Sequence, residues 1–231
     1  MPFTEDSDPY CLAPHEADRL LRDAPWRRFV VMGDSIAEGL GEDSPGYQPL
    51  SWYERVRAAL ARARPDLVAT NLGRRDLRAA EVRATQLAAA LAFEPDLAVV
   101  VAGGNDLFGR QFQPELVEGD LDAMIGALRA VPATVVTITL MDIVRAVPQL
   151  AGGPMQRLPV LNERVRAVSQ RHGALVLDAF AHPMCADRDV YSSDFKHATR
   201  RGHAILGAEL IRLLGSQVRA EPVRGFPGGA A

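Results

Sequence analysis

Apolar and polar positions along the chain fall into blocks of two kinds. Short runs that are apolar almost throughout alternate with longer stretches in which apolar residues recur at helical spacing. "RFVVMG" (28–33), "DLVATNLG" (66–73), "DLAVVVAGGND" (96–106), "ATVVTITLMD" (133–142) and "ALVLDAF" (174–180) read as five strands. Runs of this kind suit parallel strands covered on both faces. Between them, "PLSWYERVRAALARAR" (49–64) sets Trp52, Val56, Ala59, Leu60 and Ala63 on one helical stripe. Further helices are expected at 78–93, ending before Pro95, and at 114–131, with a proline and acidic residues at its start. Two more are expected at 157–173, where Gly173 suits the C-terminal cap, and at 199–215.

Strands alternating with helices imply an α/β protein with a parallel sheet. Right-handed crossovers favour a doubly wound three-layer sandwich. One domain is expected over residues 1–215, including a polar N-terminal extension (1–26), and the Gly- and Pro-rich tail 216–231 is expected to fray. Neither repeats nor an interdomain linker stand out. In such folds, sites form beyond the carboxyl ends of the strands.

Composition narrows the classes of partner. The formal net charge is −3, with no basic run, which argues against nucleic acid and against an anionic membrane surface. No apolar stretch approaches membrane-spanning length. Arg far outnumbers Lys and Ala is abundant, a pattern of coding bias rather than chemistry. Cys11 and Cys185 stand in no metal-ligand or redox spacing, so neither structural zinc nor a disulfide framework is expected. The N-terminus lacks the basic and apolar regions of a secretory signal, which makes the cytoplasm the default location.

The polar residues after the strands carry the candidate chemistry. Gly33, Asp34 and Ser35 follow the first strand, Asn71 to Gly73 lie at the end of the second, and Gly103 to Asp106 follow the third. Asp194 and His197, in "SDFKHA", follow the fifth. A serine hydroxyl needs a base to become a nucleophile, and the base needs an orienting acid. His197 can serve as the base, and Asp194, three residues earlier, can reach one ring nitrogen and leave the other for Ser35. The Asn105 amide, the Gly73 N–H and the Ser35 N–H at a helix start are candidate donors to an oxyanion.

These blocks resemble those of the SGNH (GDSL-type) hydrolases: "GDS", "NLG", "GGND" and "DFKH", spread over roughly residues 28–213. The resemblance implies a flavodoxin-like α/β/α sandwich and a reaction that needs no metal or organic cofactor. It implies Ser35 as nucleophile, Asp194 and His197 as acid and base, and Ser35, Gly73 and Asn105 as the oxyanion hole. One block departs from the family pattern. Many members continue the second block as Gly-x-Ser-Gly, whereas this chain has Arg74, Arg75 and Asp76 after Gly73.

Each element also has a plainer explanation. Ser35 or Asp34 suits an N-cap, and Asn105 and Asp106 suit a turn. His182 is the strongest rival base and Asp178 the rival acid, although Asp178 reads better as a loop-anchoring acceptor. His15, His172 and His203 fit polar-segment, helix-end and packing roles. Asp34, Ile36, Phe108, Met141 and Tyr191, with Phe112, are candidate pocket residues, and each equally suits ordinary packing. The pattern as a whole points to a serine hydrolase acting on a small carboxylic ester or related acyl group. An acyltransferase with the same acyl-enzyme is the alternative. A flavodoxin-like binding module fits less well, because the first loop lacks a P-loop lysine and carries Glu38, Glu42 and Asp43.

Overall fold

The computed structural model describes residues 3–220. Its strands β1 (Arg28–Gly33), β2 (Val68–Asn71), β3 (Leu97–Val101), β4 (Thr134–Ile138) and β5 (Leu175–Leu177) pair in parallel in the order β2-β1-β3-β4-β5. This is the flavodoxin-like order, in which the winding reverses between β1 and β3. β1 occupies the run expected for it, and the other four lie inside theirs, trimmed where loop residues begin.

The helices are α1 (Pro14–Leu21), α2 (Ser35–Glu38), α3 (Trp52–Ala63), α4 (Ala79–Ala92), α5 (Pro114–Arg129), α6 (Leu158–His172) and α7 (Arg200–Ala220). The period-two geometry of a strand explains why continuous apolar runs were needed. Phe29 and Val31 of β1, with Leu97, Val99 and Val101 of β3, pack into one core beneath α1, α3 and α7. Val30 and Met32, with Ala98 and Val100, pack into a second core beneath α4, α5 and α6. Successive side chains point to opposite faces, so in a sheet covered on both sides β1 from Phe29 on and all of β3 are apolar, and the buried Thr137 of β4 has its hydroxyl bonded to Ser169 Oγ at 2.8 Å. The helical stripe behaves as expected: Trp52, Val56, Ala59 and Leu60 are buried, and Ser51 caps α3 with Glu54 in a capping box.

Two ends differ from the expectation. The polar N-terminal extension holds α1, and Ala17, Leu21, Ala24 and Trp26 are buried in the first core. Its acidic residues had masked this, because only one face of so short a helix is apolar. Asp8 anchors the same segment. Its fully buried carboxylate takes Arg201 Nε at 2.8 Å and the Tyr47 hydroxyl at 2.7 Å. At the other end α7 continues beyond Gly215 to Ala220, and the rest of the tail lies outside the described residues. Among the described residues no helix is long and apolar enough to cross a membrane.

Candidate active site

β1 ends at Gly33, whose backbone is held by a buried side chain from the far face. Gln86 Oε1 accepts from Gly33 N and Gln86 Nε2 donates to Gly33 O, both at 2.8 Å. Gly33 has φ +150°, and a Cβ there would meet Val101 O at 2.0 Å, so glycine lets the chain leave β1 close against β3. Asp34 then caps α2, its Oδ1 accepting from Ile36 N at 3.0 Å. The capping role therefore falls to Asp34, and the Ser35 hydroxyl is left free of it. Trp52 Nε1 donates to Ile36 O at 2.7 Å and props the short helix from below.

The second half of the site comes from the loop before α7. An isolated antiparallel bridge joins Tyr191 to Ala198, and Ser192 N donates to His197 O at 2.8 Å. Ser193 N donates to Glu42 Oε2 at 3.0 Å and the Ser193 hydroxyl to Glu42 Oε1, which ties this loop to the segment after α2. Phe195 takes the left-handed conformation, φ +58°, so the turn is tight enough for Asp194 to meet His197. Asp194 Oδ1 accepts the amides of Lys196 at 2.9 Å and His197 at 3.1 Å, and its Oδ2 lies 2.6 Å from His197 Nδ1. The other ring nitrogen, His197 Nε2, lies 2.7 Å from Ser35 Oγ.

The two carboxyls differ in environment. Burial would raise the Asp194 carboxyl, but the Lys196 and His197 amides and the imidazole outweigh it and hold it below its ordinary value. Asp34 is almost wholly buried, and burial pushes its carboxyl up to about 6, against the opposing Ile36 amide and the His197 charge. An acid that stays ionised next to the imidazole is what a His-orienting group requires.

The expected oxyanion donors fare unequally. Ser35 N, in the first turn of α2, has no backbone or side-chain acceptor among the described residues, and Asn105 lines the cavity. One Asn105 amide hydrogen is used on Leu77 O at 2.9 Å, which leaves the second. Gly73 departs from its expected role. Its N–H donates to Asn71 Oδ1 at 2.8 Å, and a Cβ there would meet Glu38 N at 2.4 Å, so it packs against α2 instead of facing the cavity. The residue that does line the cavity from this loop is Asp76, which has φ +67° and an N–H without an acceptor among the described residues. A non-glycine residue in that conformation is uncommon and marks a turn held for a reason. The departure from Gly-x-Ser-Gly at this block was the signal available in the sequence. Arg75 lies on the solvent side, paired with Glu38 at 3.1 Å.

Ser35 and His197 open onto a cavity of about 250 Å³. Asp34, Ile36, Phe108 and Met141 line it. Tyr191 does not: it is buried and its hydroxyl donates to Cys185 O at 3.2 Å, a packing role that its place after the last strand concealed. Phe112 packs on the second core. Lys196, the one lysine in the chain, stands at the cavity mouth with its Nζ 4.7 Å from the centre of the Phe108 ring. Asn162, unremarked in the sequence, clamps the strand end opposite: it accepts from Leu140 N at 2.8 Å and donates to Leu140 O at 2.9 Å.

The rivals are otherwise occupied. Asp178 accepts from Arg166 and Thr139, at 2.8–3.0 Å, the anchoring role read for it. His182 Nδ1 accepts from Met184 N at 3.1 Å, and His172 Nε2 meets Asp122 at 2.9 Å. His203 Nδ1 accepts from Trp52 N and its Nε2 donates to Leu40 O, and burial pushes its ring down to about 4, so it stays neutral. His15 is solvent-exposed on α1. Among the described residues no group of three or more His, Cys, Asp and Glu side chains could hold a metal ion.

The model of a family described as GDSL-like lipase/acylhydrolase matches residues 31–205. Among solved structures the chain resembles a lipase/acylhydrolase from Enterococcus faecalis, at 22% identity over 83% of this chain and 96% of that one, TM-score 0.65. It resembles an acetylxylan esterase from Geobacillus stearothermophilus at 18% identity over 82% and 94%, TM-score 0.67. An alpha/beta hydrolase enzyme from the metagenome of Lake Arreo, Spain, is similar at 20% identity over 81% and 94%, TM-score 0.67. At these identities the likeness is one of fold. No curated protein matches the chain.

Proposed function

The chain belongs to the GDSL-like lipase/acylhydrolase family, and on that basis we propose that it is a serine hydrolase cleaving small carboxylic esters through an acyl-enzyme on Ser35. One observation carries the reading. The imidazole of His197 lies between Ser35 Oγ at 2.7 Å and Asp194 Oδ2 at 2.6 Å, with a different ring nitrogen facing each.

In this reaction His197 Nε2 takes the Ser35 proton as Oγ attacks the ester carbonyl. Asp194 keeps the Nδ1 proton in place and stabilises the imidazolium. The carbonyl oxygen becomes an oxyanion that accepts from Ser35 N–H, from the free Asn105 amide hydrogen and from Asp76 N–H. The imidazolium protonates the departing alcohol. Water then attacks the acyl-enzyme, with His197 again as base, and Ser35 is released with the acid product.

The test is labelling with a fluorophosphonate and mapping of the modified peptide. Ser35 is the expected site, and Ser35→Ala is expected to lower kcat by about 10⁴–10⁶ while thermal unfolding stays cooperative. Unchanged turnover of esters by the Ser35→Ala protein would overturn the nucleophile.

A further inference from the structure

The cavity changes character from mouth to interior. Its exposed lining is mostly charged, with Asp76, Asp194 and Lys196 beside the ring of Phe108. Its buried lining is largely hydrocarbon. Val101, Ile138 and Leu206 come from one core and Leu107 and Leu158 from the other. The site thus opens inward past the carboxyl ends of β3 and β4, between the two faces of the sheet.

The polar side chains of the buried lining are Asp34 and Ser35, at the nucleophile, and Thr139 and His203, which are already partnered. Thr139 Oγ1 donates to Asp178 Oδ1 at 2.9 Å and accepts from Phe180 N at 3.0 Å. His203 has both ring nitrogens engaged and stays neutral. Neither needs a polar group from a ligand, and an apolar group there would leave no donor or acceptor stranded.

Building on the Ser35 reading, we infer that this cavity holds the acyl chain of the substrate and selects medium-chain acyl esters. A cavity of 150 Å³ lined by Leu, Ile and Phe binds benzene, so a cavity of about 250 Å³ holds roughly six to ten chain carbons at similar packing. The chain enters beneath Phe108, a residue 44% exposed whose ring is capped by Lys196, and the alcohol leaves toward the charged mouth. An acetyl group would leave the apolar interior empty.

The experiment is a series of p-nitrophenyl esters from acetate to dodecanoate, read as kcat/KM. The expected result is a rise of about fourfold per methylene, the equivalent of ~0.8 kcal/mol for each buried CH₂, to an optimum between hexanoate and decanoate. A flat series, or acetate as the best substrate, would overturn the acyl pocket while leaving the hydrolase reading intact. No turnover of any ester, with Ser35 unlabelled by fluorophosphonate, would overturn both. Met155 lines the cavity from a half-exposed 3₁₀ turn, Gly153–Arg157, where added bulk has room to fold. Met155→Trp is expected to cut the octanoate-to-acetate ratio at least tenfold, and an unaltered ratio would count against this cavity. A crystal structure of the octylphosphonyl adduct would show the chain either in this cavity, as expected, or in solvent, which would overturn the assignment.

Discussion

The N–H of Gly73 donates to Asn71 Oδ1 at 2.8 Å, and Asn71 Nδ2 in turn donates to Ala37 O at 2.7 Å. The pair braces α2 from behind, so the Gly73 amide is already engaged, and Gly73 is not among the residues that line the cavity. Asp76, three positions on, lines the cavity and has an N–H without an acceptor among the described residues. In a phosphonylated enzyme, the phosphonyl oxygen is expected within hydrogen-bond distance of Ser35 N, Asp76 N and Asn105 Nδ2, with Gly73 still on Asn71. Exchanging the Asp76 amide for an ester linkage is expected to lower kcat by about 10²–10³, the loss typical of one oxyanion donor. Asp76→Gly keeps the N–H and suits φ +67°, so its turnover is expected to match or exceed that of the parent.

Asp178 and Asp194 both follow β5, and their partners separate them. Asp194 meets the imidazole, whereas Asp178 is held by Arg166 and Thr139. Asp194→Asn is expected to lower kcat by on the order of 10²–10⁴. Loss of the wrong-tautomer guard costs about 10⁴ where the acid is buried, and Asp194 is partly solvated. Asp178→Asn is expected to lower the melting temperature and to leave kcat near the parent value. Steady-state kinetics beside a thermal melt of each variant check the pair.

Asp34 makes stability depend on pH in an unusual direction. Burial raises its carboxyl from 3.8 to about 6, so the folded protein binds this proton more tightly than the unfolded chain. Its contribution is complete below about pH 3.8 and is lost as the pH rises through about 6. Asn at this position still accepts from Ile36 N and carries no charge. Asp34→Asn is therefore expected to be more stable than the parent above pH 6, by an amount on the order of 3 kcal/mol, with the gap closing below pH 4. Urea unfolding from pH 4 to 8 measures this, and parallel stability curves would refute it.

The Asp8–Arg201 pair, at 2.8 Å with side-chain exposures of 0% and 8%, fastens the N-terminal segment to α7. Burial would raise the Asp8 carboxyl, but Arg201, Tyr47 and the Tyr10 amide hold it below its ordinary value. Arg201→Met is expected to cost about 3–5 kcal/mol, because it strands a buried carboxylate. The double variant Asp8→Leu/Arg201→Met is expected to recover much of that loss. A double-mutant cycle in urea reads the difference.

The sequence by itself determined the layered α/β fold, the five strands and the residues that could act as nucleophile, base and acid. Apolar runs and helical stripes report local periodicity, and periodicity decides which faces must be buried, so Phe29 and Val30 were assignable to a doubly covered strand without coordinates. The polar residues at strand ends were legible for the same reason, since a parallel sheet gathers them on one edge. Only the tertiary structure decided that His197 meets Ser35 across 162 positions, that Gly73 is engaged by Asn71, that Asp76 lines the cavity, and that Tyr191 does not. It also decided that the acidic N-terminal segment belongs to the core. Those outcomes depend on which donors already have acceptors and on how closely loops from distant parts of the chain approach. A hydrogen bond is decided within a few tenths of an ångström, and no pattern of residue types along the chain carries distances that fine.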